Sequence, residues 1–282
     1  MIRLCAFADE ANENFDGQIM ALKRNNIDLI ELRTINGVNI KDITIEDAVV
    51  LSEKLKKNGI AVWAIGSPIG KIDIDCDFDE YKQTVRKICE LANIFGAKRV
   101  RIFSFFNAYQ KDSLVFTRLQ EIINIGKEYS VYMCHENEKE IYGDVKDRVL
   151  KLIKNVEGLK TVFDPANFIQ SDENVKFAFD ELKEYTDYYH VKDVDAKTGE
   201  IGPAGEGDGM IKYMVDCLDD VVMTIEPHLK VFSGYAMMDN TTLKSNREFK
   251  DGDQAFDFAV KSFKKILIQS GYVETNGGFI KK

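Results

Sequence analysis

Short apolar runs rich in β-formers alternate along the chain with longer stretches whose apolar residues recur at three and four. Eight runs read as strands: IRLCAF from Ile2, LIEL from Leu29, VWAI from Val62, VRIFS from Val100, VYMCHE from Val131, TVFD from Thr161, YYHVKD from Tyr188 and VVMTIE from Val221. The stretches between them, such as FDGQIMALKRNN from Phe15, IEDAVVLSEKLKKNG from Ile45 and FDEYKQTVRKICELANIFG from Phe78, read as amphipathic helices. Further helices fit 114–127, 145–156, 174–185 and 254–268, and Gly59 and Gly96 stand where the second and third helices should end. Strict alternation repeated eight times predicts an α/β chain folded as a single (β/α)8 barrel. A doubly wound open sheet is the alternative, but its glycine-rich first turn is missing: AFADEANENF has no glycine before Gly17. The barrel is expected to span 1–274, with TNGGFIKK (275–282) as a flexible tail.

The chain has 282 residues, and 45% hydrophobic against 30% charged is the balance of an ordinary folded globule. A net charge of −9 argues against nucleic acid as a partner. No apolar run approaches the 18 or more residues of a membrane span, and MIRLCAFADE is too short an apolar start for an export signal, so a cytoplasmic protein is expected. Five cysteines (Cys5, Cys76, Cys89, Cys134, Cys217), odd in number and never spaced C-x-x-C, predict reduced thiols instead of a disulfide frame or zinc ribbon.

In a barrel the chemistry gathers at the C-terminal ends of the strands. All three histidines fall there: His135 closes the fifth strand, His190 lies in the seventh and His228 follows the eighth. Alternate strand residues point inward, so Glu136 shares a face with Cys134, Asp164 with Val162, His190 with Lys192, and Glu226 with Thr224. Four adjacent strands thus offer Glu, Asp, His and Glu. Three carboxylates and one imidazole suit a divalent cation, Mn²⁺ first, with Mg²⁺, Co²⁺ or Zn²⁺ as alternatives. Any single strand-end acid is equally a helix cap, as Asp144 or Asp172 would be, and a lone histidine is more often a bonded core group than a ligand. Glu31 and Arg33 share inward parity on strand two and read either as a buried ion pair or as pocket lining.

Five short segments carry a resemblance: CHEN (134–137), FDPAN (163–167), HVKD (190–193), PAGEGDG (203–209) and TIEPH (224–228). In this order and on these strands they make the chain similar to the sugar phosphate isomerase/epimerase family, xylose isomerase-like TIM barrels that include ketose 3-epimerases, inosose dehydratases and hydroxypyruvate isomerases. The resemblance covers nearly the whole chain. It implies that Glu136, Asp164, His190 and Glu226 hold one divalent metal, and that Glu136 and Glu226 flank the substrate as acid and base. Ketose 3-epimerases of this family usually have a histidine three residues after the metal-binding aspartate, where this chain has Asn167. Lys192, Asn167, Glu206 in the PAGEGDG loop and Lys71 in SPIGK (67–71) are expected at the substrate; SPIGK is not a Walker A loop, because Ile72 follows the lysine. Trp63, Phe7, Phe105 and Phe106 are strand-end aromatics for core packing or for stacking on a sugar. SGYAMMDN (233–240) is expected to serve a lid or a homo-oligomer interface.

The expected activity is sugar isomerisation or epimerisation by proton transfer next to a carbonyl, through an enediolate. Three alternatives share the barrel. The same site could run a dehydratase or lyase reaction on an inosose or glycoside. A phosphodiesterase of the endonuclease IV kind would need more histidines than three. A catalytically silent sugar-binding module is the last.

Overall fold

The structure, a computed structural model, describes residues 1–231 and 247–282; the SGYAMMDN segment lies outside the described residues. Eight parallel strands form the barrel: β1 (Ile2–Ala6), β2 (Leu29–Leu32), β3 (Ala61–Ile65), β4 (Arg99–Ile102), β5 (Tyr132–Glu136), β6 (Lys160–Phe163), β7 (Thr186–Val191) and β8 (Val221–Ile225). Pairing of β8 with β1 over five residues, from Ile2 opposite Val221 to Ala6 opposite Ile225, closes the sheet and rules out the open alternative. Around it run α1 (Phe15–Arg24), α2 (Ile45–Lys57), α3 (Phe78–Phe95), α4 (Asp112–Glu128), α5 (Lys146–Asn155), the short α6 (Pro165–Gln170), α7 (Val175–Leu182), α8 (Ile211–Cys217) and α9 (Gly252–Gln269). Side chains of Asn14, Thr44, Asp77, Asn174 and Asp251 each accept a first-turn N–H, which sets where α1, α2, α3, α7 and α9 begin. No helix among the described residues is long and apolar enough to cross a membrane.

Two apolar layers follow from strand parity. Outward residues such as Ile30, Val100, Ile102, Met133, Phe163 and Ile225 pack against the helices. Inward residues Cys5, Leu29, Ala64, Cys134, Val162, Tyr188 and Val222 form a separate cluster inside the barrel, an apolar floor beneath the strand ends. All five cysteines are free, and Cys5, Cys89 and Cys134 are buried.

The segment expected to fray is instead folded. It pairs Gly278–Lys281 (β10) with Tyr272–Thr275 (β9) in an antiparallel hairpin, whose turn is Asn276-Gly277 with Gly277 at φ +105°. Phe279 is buried opposite Ile2 of β1, and the Tyr272 hydroxyl donates to Leu218 O at 2.9 Å. Two buried rings outweigh the loosening effect of the glycines.

His135 faces the helices, fully buried, with Nε2 2.9 Å from Ser104 Oγ. Gly143 packs so close that a Cβ there would lie 2.4 Å from the ring. Burial pushes its pKa down to about 4, against the smaller opposing pull of Glu136. The folded chain therefore keeps His135 neutral where the unfolded chain protonates it, and stability falls as pH drops from about 6.5 to about 4. Between pH 7 and pH 5 this group alone should cost about 2 kcal/mol. Urea titrations at both values should show a shallower decline for His135→Gln than for the native chain.

Candidate metal and active site

Each sequence-predicted donor arrives at the top of the barrel on its own strand. Glu136 ends β5, Asp164 follows β6, His190 lies in β7 and Glu226 follows β8. One ligand atom from each, all buried, falls within 4.8 Å of every other. His190 Nδ1 sits among the three carboxylates, 3.0 Å from Glu136 Oε1, 3.2 Å from Glu226 Oε2 and 3.7 Å from Asp164 Oδ2.

Asp164 does two jobs. Its Oδ1 accepts the Asn167 N–H at 2.9 Å and caps α6, while Oδ2 faces the cluster. Asn137 fixes it further: its side chain accepts from the Asp164 N–H and donates to the Asp164 carbonyl, both at 2.9 Å. The helix-capping and ligand readings of this acid are therefore compatible, one oxygen for each.

The donor set fits a divalent cation. Glu136 Oε2, Asp164 Oδ2 and Glu226 Oε2 are buried and accept no hydrogen bond of acceptable geometry. Arg101 and Lys192 stand 3.1 and 3.0 Å from the first two as ion-pair partners only, which leaves lone pairs for a metal. Burial works against a charge on His190, but Glu136 and Glu31 outweigh it and hold the imidazole pKa well above its usual value without a metal. On the far side of the ring, Nε2 lies 3.2 Å from Glu31 Oε2, and the Tyr188 hydroxyl donates to Glu31 Oε1 at 2.9 Å. A carboxylate behind Nε2 keeps the proton there and leaves Nδ1 as the ligand atom. Glu31→Gln is accordingly expected to weaken Mn²⁺ binding by about 10- to 100-fold in equilibrium dialysis. Unchanged affinity would show that Glu31 does not set the ring's tautomer.

Arg33 does not pair with Glu31. Its guanidinium bonds Asp9 (3.0 Å), Glu10 (3.0 Å) and Glu226 Oε1 (2.8 Å), fully buried. Glu10, Glu226 and His228 make a second group of close donor atoms, but Arg33 already bonds both carboxylates, so that place holds a guanidinium. Burial pushes the Glu10 carboxyl up to about 8, against the pull of Arg33. Its Oε2 accepts the His228 N–H at 2.6 Å, which pins His228 at φ +46°, a left-handed backbone unusual outside glycine.

A cavity lies over the cluster, lined among others by Lys71, Glu138, Asn167 and Lys192. Lys192 Nζ stands 3.0 Å from Asp164 Oδ2 and 3.6 Å from Glu226 Oε2. Asn167 Nδ2 donates to Glu136 Oε1 at 3.2 Å and to Asn137 O at 3.0 Å, so it orients Glu136. Lys71 pairs with Glu138 at 2.9 Å on the rim. Glu206 is the predicted residue that does not arrive: it is exposed, absent from this lining, and paired with Arg247. Its loop is instead gathered by Asp193, whose carboxylate accepts the N–H groups of Gly205, Gly207 and Gly209 at 2.8 to 3.1 Å. Among the described residues the aromatic in the cavity wall is Phe103, not Trp63, Phe105 or Phe106, while Phe7 lies edge-on to His190 at 5.3 Å. Arg101, Asp9 and Glu10 escaped the sequence reading.

The sequence profile of the xylose isomerase-like TIM barrel family matches residues 19–271. Among proteins of curated function, none matches the sequence at significant similarity. Similar solved structures include AsbF from Bacillus anthracis, described as a probable 3-DHS dehydratase of petrobactin synthesis, with TM-score 0.69, 18% identity, and 94% of this chain and 99% of that one covered. The IolI protein with a bound zinc atom superposes with TM-score 0.71 at 14% identity, covering 95% of this chain and 99% of that one. A D-allulose 3-epimerase from Methylomonas sp. gives 0.72 at 11% identity, covering 94% and 98%. At these identities the likeness is one of fold.

Proposed function

Because the chain belongs to the xylose isomerase-like TIM barrel family, we propose that it is a metal-dependent enzyme that moves a proton at the carbon next to the carbonyl of a ketose or related sugar derivative. The observation that carries this reading is the convergence of Glu136, Asp164, His190 and Glu226 within 4.8 Å, with three buried carboxylate oxygens lacking hydrogen bonds. A divalent cation held there, Mn²⁺ by the oxygen-rich set or Zn²⁺ as in IolI, would supply Lewis acidity to a substrate carbonyl.

The remaining chemistry belongs to side chains. Glu136 ends β5 and Glu226 follows β8, with β6 and β7 between them, and the two approach His190 Nδ1 from separate strands. Burial raises the pKa of Glu226, but Lys192 and His228 outweigh it and hold the group well below the usual carboxylate range. Glu226 thus starts as the base and keeps the proton it takes, while Glu136, entering the step protonated, would give its own proton to the enediolate's other face; exchange with solvent then resets the two carboxyls. Arg33 and Asn167 fix the two carboxylates, and the Lys192 ammonium, beside Glu226 in the cavity lining, would stabilise negative charge developing on a substrate oxygen there. Asn167 brings no imidazole, so proton relay through that position is not part of the scheme.

Lys192 also favours a second reading, elimination of a β-hydroxyl, because a buried ammonium is a proton donor to a departing hydroxide. Incubating Mn²⁺-loaded protein with ketoses and inososes in deuterated water tests both. Deuterium entering next to the carbonyl with the carbon skeleton intact supports isomerisation or epimerisation, an enone absorbance supports dehydration, and neither across the panel overturns the proposal.

A further inference from the structure

Arg101 is a cavity-lining group much of whose hydrogen-bonding capacity is unused. Its side chain is 6% exposed. Nε is buried without a partner, Nη2 reaches Ser67 O only at 3.4 Å, and Nη1 lies 3.1 Å from Glu136 Oε2 without a hydrogen bond to that oxygen. A guanidinium has five donors, and those on the two Nη atoms, weakly engaged by Ser67 and Glu136, are the ones a ligand in the cavity can take. Asp144, by contrast, meets Arg148 with two short contacts.

A second cation shares this wall. Lys71 Nζ lies over the Phe103 ring at 4.5 Å and Arg101 lies over the same ring at 4.9 Å. Gly70 lets the SPIGK loop come this close: it has φ +88°, and a Cβ there would lie 2.2 Å from Phe103 O. The cavity lining holds Arg33, Lys71, Arg101 and Lys192 against Glu136, Glu138 and Glu226, in a chain of net charge −9. Arg33 and Lys192 are matched by Asp9, Glu10, Asp164 and Glu226, and a divalent ion would offset the carboxylates that hold it, Glu136 among them, and so loosen their claim on Arg101.

We propose that Arg101, backed by Lys71, forms an oxyanion subsite, and that the substrate is an acidic sugar derivative bearing a carboxylate or a phosphate in addition to its carbonyl. Arg101 makes the charge-assisted bonds to the acidic group, and Phe103 supplies the apolar face between the two cations. This inference rests on the cavity being the substrate site of a metal enzyme.

The test uses three ketoses that share one head and differ at C6: fructose, fructuronate and fructose 6-phosphate. Their binding to the Mn²⁺-loaded full chain is measured by calorimetry, with Mn²⁺ stoichiometry determined in parallel for the native chain, Arg101→Met and Lys71→Met. At least one acidic ketose should bind about tenfold or more tighter than fructose, and Arg101→Met should cut that preference to about threefold or less while keeping its Mn²⁺. The tighter of the two acids identifies carboxylate or phosphate as the group read. Equal binding of fructose, or a preference that survives in Arg101→Met, overturns the subsite while leaving the metal enzyme standing. A native chain that takes up no Mn²⁺ overturns both. If Arg101→Met does not fold, Lys71→Met decides: a preference reduced at least threefold supports the subsite, and an unchanged one overturns it.

Discussion

Protein loaded with Mn²⁺ and desalted is expected to retain one ion per chain, and Asp164→Asn to retain none. The substitution is informative because asparagine caps helices as well as aspartate does. Its Oδ1 can still accept the Asn167 N–H and start α6, and Asn137 bonds only the backbone of this residue, so the fold has no reason to fail. What changes is the other atom. An amide nitrogen replaces Oδ2, putting a donor where a ligand lone pair stood and facing the Lys192 ammonium 3.0 Å away. Elemental analysis reads the result directly. Full Mn²⁺ retention in the variant would remove Asp164 from the site and with it the four-donor assignment.

The second large effect is expected from Glu226→Gln. Removing the carboxylate charge deletes the base, and deuterium exchange into a substrate should slow by about a thousandfold. The neutral amide keeps the volume and can still accept from Arg33, so circular dichroism should be native. Because Glu226 is also expected to bind the metal, the rate is compared at saturating Mn²⁺, with ion content measured in the same sample. A variant that exchanges deuterium at the native rate with metal bound would exclude Glu226 as the base.

The strand pattern was legible because eight apolar runs were bounded by polar turns; each observed strand begins within two residues of its expected start. Inward parity then brought Glu136, Asp164, His190 and Glu226 together. Parity was available for Arg101 too, one step after Val100 on β4, but a cation inside a parallel strand resembles a surface residue until its surroundings are seen. Asp9 and Glu10 lie in a single 3-10 turn, Ala8–Glu10, with no periodicity to mark them as buried. Glu31 had the right direction and the wrong partner: inward parity does not say which of several charges a carboxylate meets across a barrel, and it met His190. Glu206 was misplaced because a sequence does not reveal that Asp193 collects the neighbouring amides. The tail's Asn-Gly pair was a hairpin signal, passed over beside its two glycines.

The grip of Asp193 bears on affinity. The loop after β7 would lose considerable backbone entropy if ordered only on meeting a ligand, glycines most of all. Here folding has already met that cost, through N–H groups of Val194, Gly205, Gly207 and Gly209 on one buried carboxylate. Ile201 of the cavity wall and Lys192 therefore sit on the two arms of a preordered clasp. Less of a substrate's binding energy is spent on closing this side of the cavity, and more is left for discrimination.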